Sequence, residues 1–534
     1  MSGRGAVAAG HPVTADVAAE VLKAGGNAVD AALAGVAAAC VAEPVLASLG
    51  GGGFLLVHPP DRAPLVCDFF THTPRRRRPL EEVDFHPIVA DFGTVTQDFH
   101  IGQGAVAVPG LPRGLVETHR RFGHMPLTEV VAPAVTLAGQ GVPLSALQAY
   151  ILSVVGPIFT ATEGARALYC DPDGTLKGAG ANGTLKGAGA TIRLPNLGPL
   201  LEELAREGDR FFYEGEPGQR LLAAQAEGGF LGPDDLSGYR MELRRPLSVE
   251  VGGQRLFTNP PPSTGGVLIA FALGLLEGSG LAGTTFGAPG HLCRLVAAMA
   301  ATNRARQESR LAEDPEGAAA TLASASFVER HLAACLAALE GHPPAFRGTT
   351  HISVVDGAGG AAALTVSNGE GNGWILPGTD IMMNNMLGEE DLSPGGFHSW
   401  PTDTRLSSMM APSLLEAPDG TRLALGSGGS NRIRTAILQV LANRLWLGHD
   451  LERAVDAPRL HFEAGTLNLE PGFSEPARRA VAALPDGMVD KVVEWDGPNM
   501  FFGGVHAVAH RATARGVQLA AVGDPRRGGA ARLP

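Results

Sequence analysis

A glycine, two threonines and a histidine open the stretch Gly348-Thr349-Thr350-His351-Ile352-Ser353-Val354-Val355-Asp356. The alternation that follows, ending at the turn dipeptide Asp356-Gly357, predicts a β-strand with Thr349 at its mouth. A hydroxyl is a poor nucleophile at neutral pH unless a base sits beside it. If the Gly348–Thr349 bond is cut, the freed α-amine, with an ordinary pKa of about 8, becomes that base and is held there by covalent geometry. One threonine then carries both a nucleophile and its base. Gly-Thr-Thr-His by itself is also an ordinary strand start, so its neighbours in the sequence must decide.

A second stretch supplies a complementary group. A short strand at residues 423–425 opens onto Gly426-Ser427-Gly428-Gly429-Ser430, and a helix is predicted over 431–447 on the stripe Ile433, Ile437, Val440, Leu441 and Leu445. A glycine pair at a helix N-terminus presents unpaired N–H groups at the positive end of the helix dipole. Gly428 and Gly429 are therefore candidate donors to a developing oxyanion, a role worth a few kcal/mol per donor. A tight strand-to-helix turn is the plain reading of the same residues.

The remaining elements read as scaffold. Helices are predicted at 14–23 and from Val29 to Cys40, the second rich in small residues suited to close packing on a sheet. Gly50-Gly51-Gly52-Gly53 precedes a strand at 54–57, which implies close backbone approach to something; no GK[ST] follows, so a phosphate cradle is discounted. Arg75 to Arg78 read as a solvated loop. Residues 107–205, 196–240 and 266–339 are expected to be largely helical, with a hairpin at 247–257 between them. The tandem repeat at 174–191 carries a fortuitous GxGxxG without a preceding strand and reads as a surface loop. Residues 341–348, with Pro343-Pro344, read as an exposed loop suited to a chain cut. Residues 405–412 read as a strand entrance.

Composition narrows the function classes. The 534 residues allow several domains or one large layered domain, and a hydrophobic fraction of 45% supplies a large core. A net charge of -12 argues against nucleic acid or an anionic membrane as a main partner. The five cysteines are scattered without CxxC, the 16 histidines form no HExxH, and no motif implies a metal or other cofactor. Met1-Ser2-Gly3-Arg4-Gly5 lacks the apolar core of a signal peptide, so the expectation is a soluble, cytoplasmic protein.

Taken in order, these stretches resemble the γ-glutamyltransferase family of N-terminal-nucleophile hydrolases. The matches run from Gly26-Asn27-Ala28-Val29-Asp30-Ala31-Ala32 and Glu43-Pro44 through Gly50 to Phe54, Phe212-Tyr213-Glu214-Gly215 and Gly228-Gly229 with Asp235, Leu236 and Tyr239. They continue through Thr349 to Asp356, Asn384-Asn385, Leu406-Ser407-Ser408-Met409 and Gly426 to Ser430. The resemblance implies an α+β fold, a four-layer αββα sandwich with two antiparallel sheets between helical layers. It also implies a zymogen of glutathione metabolism that cleaves itself before Thr349. The products would be a large chain (1–348) and a small chain (349–534), intertwined in one domain as a heterodimer, with further pairing left open. Thr349 would attack a small-molecule amide, Gly428 and Gly429 would hold the oxyanion, and the acyl group would pass to water or an amine. Thr365 or Ser367 would orient Thr349, Asn368 would contact substrate, and Thr350 would be a structural strand residue.

Two departures bear on the donor. The family reads the donor's α-carboxylate with an Arg where this chain has Phe70, in Asp68-Phe69-Phe70-Thr71, and Phe cannot replace an Arg–carboxylate fork. Met386 stands after Asn384-Asn385 where a polar residue is usual, leaving Glu389 to hold an amine and Ser407 and Ser408 as polar contacts. The donor is thus either γ-glutamyl, with one of Arg75 to Arg78 or another basic side chain reaching in, or a more apolar acyl group, as in the family's cephalosporin-acylase-like branch. A non-catalytic relative is a third reading, opposed by the intact threonine, serine-pair and glycine-pair motifs. A serine hydrolase is excluded by the lack of a GxSxG elbow.

Overall fold

The computed structural model describes residues 4–91, 96–178, 189–311, 313–334, 348–393, 395–484 and 488–534. Two antiparallel sheets form the centre. In the first, seven strands lie in the spatial order Ala530–Arg532, Gly5–Ala9, Thr350–Asp356, Ala361–Ser367, Gly52–His58, Leu65–Phe69 and Glu242–Arg244. In the second, six lie in the order Gly516–Val522, Gly504–Thr513, Arg422–Gly428, Ser413–Glu416, Gln254–Thr258 and Leu247–Val251. Helices Pro12–Ala24 and Ala28–Ala42 cover the outer face of the first sheet, and Arg432–Leu445 and Gly265–Gly278 cover that of the second. This is the four-layer αββα sandwich expected.

The central strand Thr350–Asp356 shows why the layers form. Its alternation would ordinarily mean one wet face, yet all seven residues are buried. Ile352 and Val354 pack toward the helices, while Val355 packs toward the second sheet. His351 and Ser353 share that inter-sheet side, and the His351 ring lies so near Gly426 that a Cβ there would sit 2.2 Å from it. Polar residues survive between the sheets because they bond each other. His351 bonds Thr365 at 2.7 Å and Ser353 at 2.9 Å, and Ser353 donates to the His506 carbonyl at 3.1 Å.

Helix Ala28–Ala42 is buried at every position, which its alanines allow. A Cβ on Gly35 would already stand 3.1 Å from Ile352. Asn27 and Asp30 form a capping box at its start, a device worth about 1 kcal/mol. The four-glycine run is explained by proximity to the first sheet and its loops. Cβ atoms on Gly51 and Gly53 would fall 2.3 and 2.4 Å from the carbonyls of Ser367 and Thr365.

Two expectations need correction, and two others fall largely outside the described residues. The strand expected at 423–425 is longer, Arg422–Gly428, so Gly426 and Gly428 belong to the sheet. Residues 405–412 are irregular, and the strand begins at Ser413. Of the loop expected at 341–348, only Gly348 is described, and it is buried. Most of the tandem repeat, 179–188, also lies outside the described residues. No described helix is long and apolar enough to cross a membrane.

Candidate active site

Thr349 sits immediately before the central strand and is 5% exposed. The register pairs Thr350 with Val366 and His351 with Thr365, so Thr349 falls opposite Ser367 at the next step. Period-two alternation puts Thr349 on the same side as His351, between the sheets, where it lines a cavity of about 480 Å³. Ser367 Oγ donates to the Gly348 carbonyl at 2.7 Å and accepts from Gly369 N–H at 3.1 Å. Gly348 N–H donates to Glu370 Oε1 at 2.6 Å. Gly348, the residue preceding the threonine, is thus held at both its carbonyl and its N–H.

The strand end Gly428 lies directly against the threonine. A Cβ there would be 2.1 Å from the Thr349 carbonyl oxygen, so only glycine fits. Gly429 has φ of +121°, a left-handed value that L side chains rarely adopt. The helix that follows starts at Arg432, and the N–H groups of Gly429, Ser430 and Asn431 have no acceptor among the described residues. Ser430 lines the cavity with Thr349. Of the pair singled out in the sequence, Gly428 ends the strand against Thr349 and Gly429 opens the turn into the helix.

The other candidates divide. Ser367, Glu389, Ser407 and Ser408 all line the cavity with Thr349. Thr365 does not; it is engaged with His351 behind the threonine. Asn368 points away, its Nδ2 donating to the carbonyls of Met382 and Met383 at 3.3 and 3.4 Å. Asn384 ties Gly50 and Ala107 together, and Asn385 accepts from Glu370 N–H at 2.9 Å, so this pair holds loops in place. Thr350 faces the helices and donates to Glu43 at 2.7 Å, with burial pushing the Glu43 carboxyl up from its ordinary value.

Phe70 lines the cavity and stacks on Phe54 at 5.3 Å. With Met386, Trp400, Leu406, Met409 and Met410 it makes an apolar wall. None of Arg75 to Arg78 lines the cavity. Arg75 pairs with Asp403 at 3.2 Å, Arg76 with Asp234 and Arg78 with Glu82, while Arg77 donates to the carbonyls of His398 and Trp400. Arg405 does reach the cavity, but its guanidinium is committed to Asp68 at 3.3 Å and to the Phe70 and Arg240 carbonyls. Arg306, in the last turn of Pro289–Glu308, lies at the cavity edge. Sequence reasoning passed over Arg306, Arg405, Glu370 and Arg527. Nothing local marks them, since each acts from a segment far from Thr349 in the chain.

Among the described residues no group of His, Cys, Asp and Glu side chains could hold a metal ion. Cys40, Cys67, Cys170 and Cys293 are free thiols.

The layered sandwich and a strand-opening threonine facing the gap between its sheets define the architecture of an N-terminal-nucleophile hydrolase. Comparison with known proteins agrees. The sequence profile of the gamma-glutamyltranspeptidase family matches residues 14–533. An acylase ACY 1 proenzyme of a Pseudomonas species is 31% identical, with 90% of this chain and 86% of that one covered. The glutathione hydrolase proenzyme of Escherichia coli is 28% identical, with 90% and 85% covered. The crystal structure of cephalosporin acylase from Bacillus halodurans superimposes with a TM-score of 0.81 at 23% identity, covering 99% of this chain and 96% of that one. The chain belongs to the gamma-glutamyltranspeptidase family.

Proposed function

We propose that this protein is a self-processing amidase whose nucleophile is the hydroxyl of Thr349. Self-cleavage starts when that hydroxyl adds to the Gly348 carbonyl carbon and the peptide nitrogen leaves, giving an ester between Gly348 and the threonine side chain. Water then hydrolyses the ester, releasing the Gly348 carboxylate, the free hydroxyl and a free α-amine. The large chain (1–348) and small chain (349–534) remain joined as a heterodimer, because strands from both contribute to each sheet.

In turnover the α-amine takes the hydroxyl proton as Oγ1 bonds to the amide carbon of the donor. The N–H groups at the Gly429–Asn431 turn stabilise the oxyanion. The ammonium returns its proton to the leaving amine, and the acyl-enzyme passes to water or to an amine acceptor. The observation that carries this reading is the placement of Thr349 on the cavity floor with the preceding carbonyl held by Ser367 at 2.7 Å.

For the donor, the apolar wall of Phe70, Met386 and Trp400 supports an acyl group with a largely apolar body, and the similarity to an acylase proenzyme favours the same reading. A second reading, a γ-glutamyl donor, draws on Glu389 for the α-ammonium and on Ser407, Ser408 and Arg306 for the α-carboxylate, all of them in the cavity wall. Intact mass of the purified protein beside Thr349→Ala tests the shared mechanism. Two chains meeting at Gly348 and Thr349 are expected only in the parent, and an uncut chain in both would overturn it. A panel of γ-glutamyl, glutaryl and simple acyl anilides then separates the donors.

A further inference from the structure

Arg527 is a buried cation that the mechanism above does not use. It follows Asp524-Pro525-Arg526 near the end of the chain, is 4% exposed, and projects to the threonine. Its Nη1 donates to the Thr349 carbonyl at 3.4 Å, and Cβ atoms on Gly428 and Gly429 would stand 3.2 and 3.1 Å from its terminal nitrogens. Its Nε has no hydrogen-bond partner among the described residues. Among the described residues it makes no ion pair, unlike Arg526, which is bound to Glu470 at 2.5 Å, or Arg459, bound to Asp524 at 2.6 Å. Burial pulls the guanidinium down to about 10, with Glu370 and Asp524 opposing, so it stays charged at neutral pH. A buried positive charge with one long hydrogen bond is costly to maintain.

We propose that Arg527 is a positioning residue that fixes the backbone of Thr349 and, through its charge, keeps the freed α-amine neutral and able to act as the base. This rests on the reading of Thr349 as an N-terminal nucleophile. A positive neighbour disfavours the ammonium form, which shifts the amine toward its proton-accepting state. Of the other charged groups, Arg306, Glu313 and Arg405 line the same cavity, Arg405 being paired with Asp68 at 3.3 Å. Glu370 acts in the opposite direction and accepts from Gly348 N–H at 2.6 Å. Asp524 is already matched by Arg459 and Arg526. His351 and His506 are driven below their ordinary value by burial and are neutral. Glu43 lies on the helix side, bound to Thr350 and Thr14, and Glu389 and Asp391 line the cavity wall. Arg527 is the cation that touches residue 349 itself.

The test is the pH dependence of kcat/KM for an acyl anilide, measured on the parent, Arg527→Lys and Arg527→Met after mass analysis has established a chain beginning at Thr349. In Arg527→Met the acid limb is expected to move up by about one pH unit or more, and in Arg527→Lys to stay within about half a unit of the parent. The same order should appear in the pH dependence of carbamylation of the Thr349 α-amine by cyanate, which needs no turnover. A limb that stays put in Arg527→Met while activity falls at every pH would overturn the proposal in favour of a purely structural role. If Arg527→Met does not mature, the Lys variant decides: maturation with a parental limb supports the proposal, and a limb displaced upward overturns it. A parent lacking a chain that starts at Thr349 would instead reject the nucleophile assignment.

Discussion

Replacing Ser367 with alanine removes one hydroxyl from the peptide that is to be cut. That hydroxyl donates to the Gly348 carbonyl at 2.7 Å, and its direction is fixed because Gly369 N–H, which can only donate, occupies its lone pair at 3.1 Å. When Thr349 adds to the carbonyl carbon, negative charge develops on this same oxygen. A preorganised donor lost at such a point raises the barrier by about 2–4 kcal/mol, a slowing of roughly 30- to 1,000-fold. Ser367 is only 8% exposed, so bulk water does not readily substitute. The assay is a time course of intact mass on freshly produced precursor, with thermal unfolding as a control on folding. Ser367→Thr keeps the hydroxyl and is expected to mature within about tenfold of the parent rate. Maturation of Ser367→Ala at the parent rate would refute the assignment of Ser367 to the scissile carbonyl.

Further predictions follow from neighbouring geometry. Gly428→Ala drives a Cβ to 2.1 Å from the Thr349 carbonyl oxygen, against backbone that cannot yield without moving the nucleophile, and should reduce anilide turnover by about a hundredfold or more, measured beside thermal unfolding. Phe70→Arg restores a guanidinium to the apolar wall and should raise the ratio of kcat/KM for a γ-glutamyl over a simple acyl anilide by about tenfold. An unchanged ratio would mean that Phe70 does not meet the donor. His506 is held down to about 4, first by burial, while the unfolded chain titrates near 6.5, so below that value the unfolded state binds the extra proton. Its contribution is complete above about pH 6.5 and is lost as pH falls toward 4, about 2 kcal/mol by pH 5. Chemical denaturation of the parent should show that slope, and His506→Gln should lessen it.

Much of the site was legible because it is built from local signals. Thr349 at a strand mouth and a glycine run at a helix start are short, contiguous patterns whose chemistry follows from residue type and spacing. The Ser407-Ser408 pair and the departures at Phe70 and Met386 were legible only against the family the chain resembles, and all four residues line the cavity. Boundaries were less so. The strand ending at Gly428 was read as stopping at Leu425, because glycine has no strand propensity and only its neighbour Gly504–Thr513 shows why the chain stays extended there.

Tertiary structure alone decided which groups meet. Thr365, Ser367 and Asn368 are near neighbours in sequence, yet one binds His351, one the Gly348 carbonyl and one the Met382 loop, since the strand ends within that triplet. Arg75 to Arg78 were candidates by charge, but none of them lines the cavity, and their side chains are held by Asp403, Asp234, Glu82 and the carbonyls of His398 and Trp400. Arg527 lies 178 residues from the threonine it touches and carries no motif. Residue type and short-range periodicity by themselves pointed to Thr349 as the candidate nucleophile, while the layers and the departures in the donor pocket were read through the resemblance to the family. The electrostatics around Thr349 depend on long-range packing of segments from both ends of the chain, which no local pattern encodes.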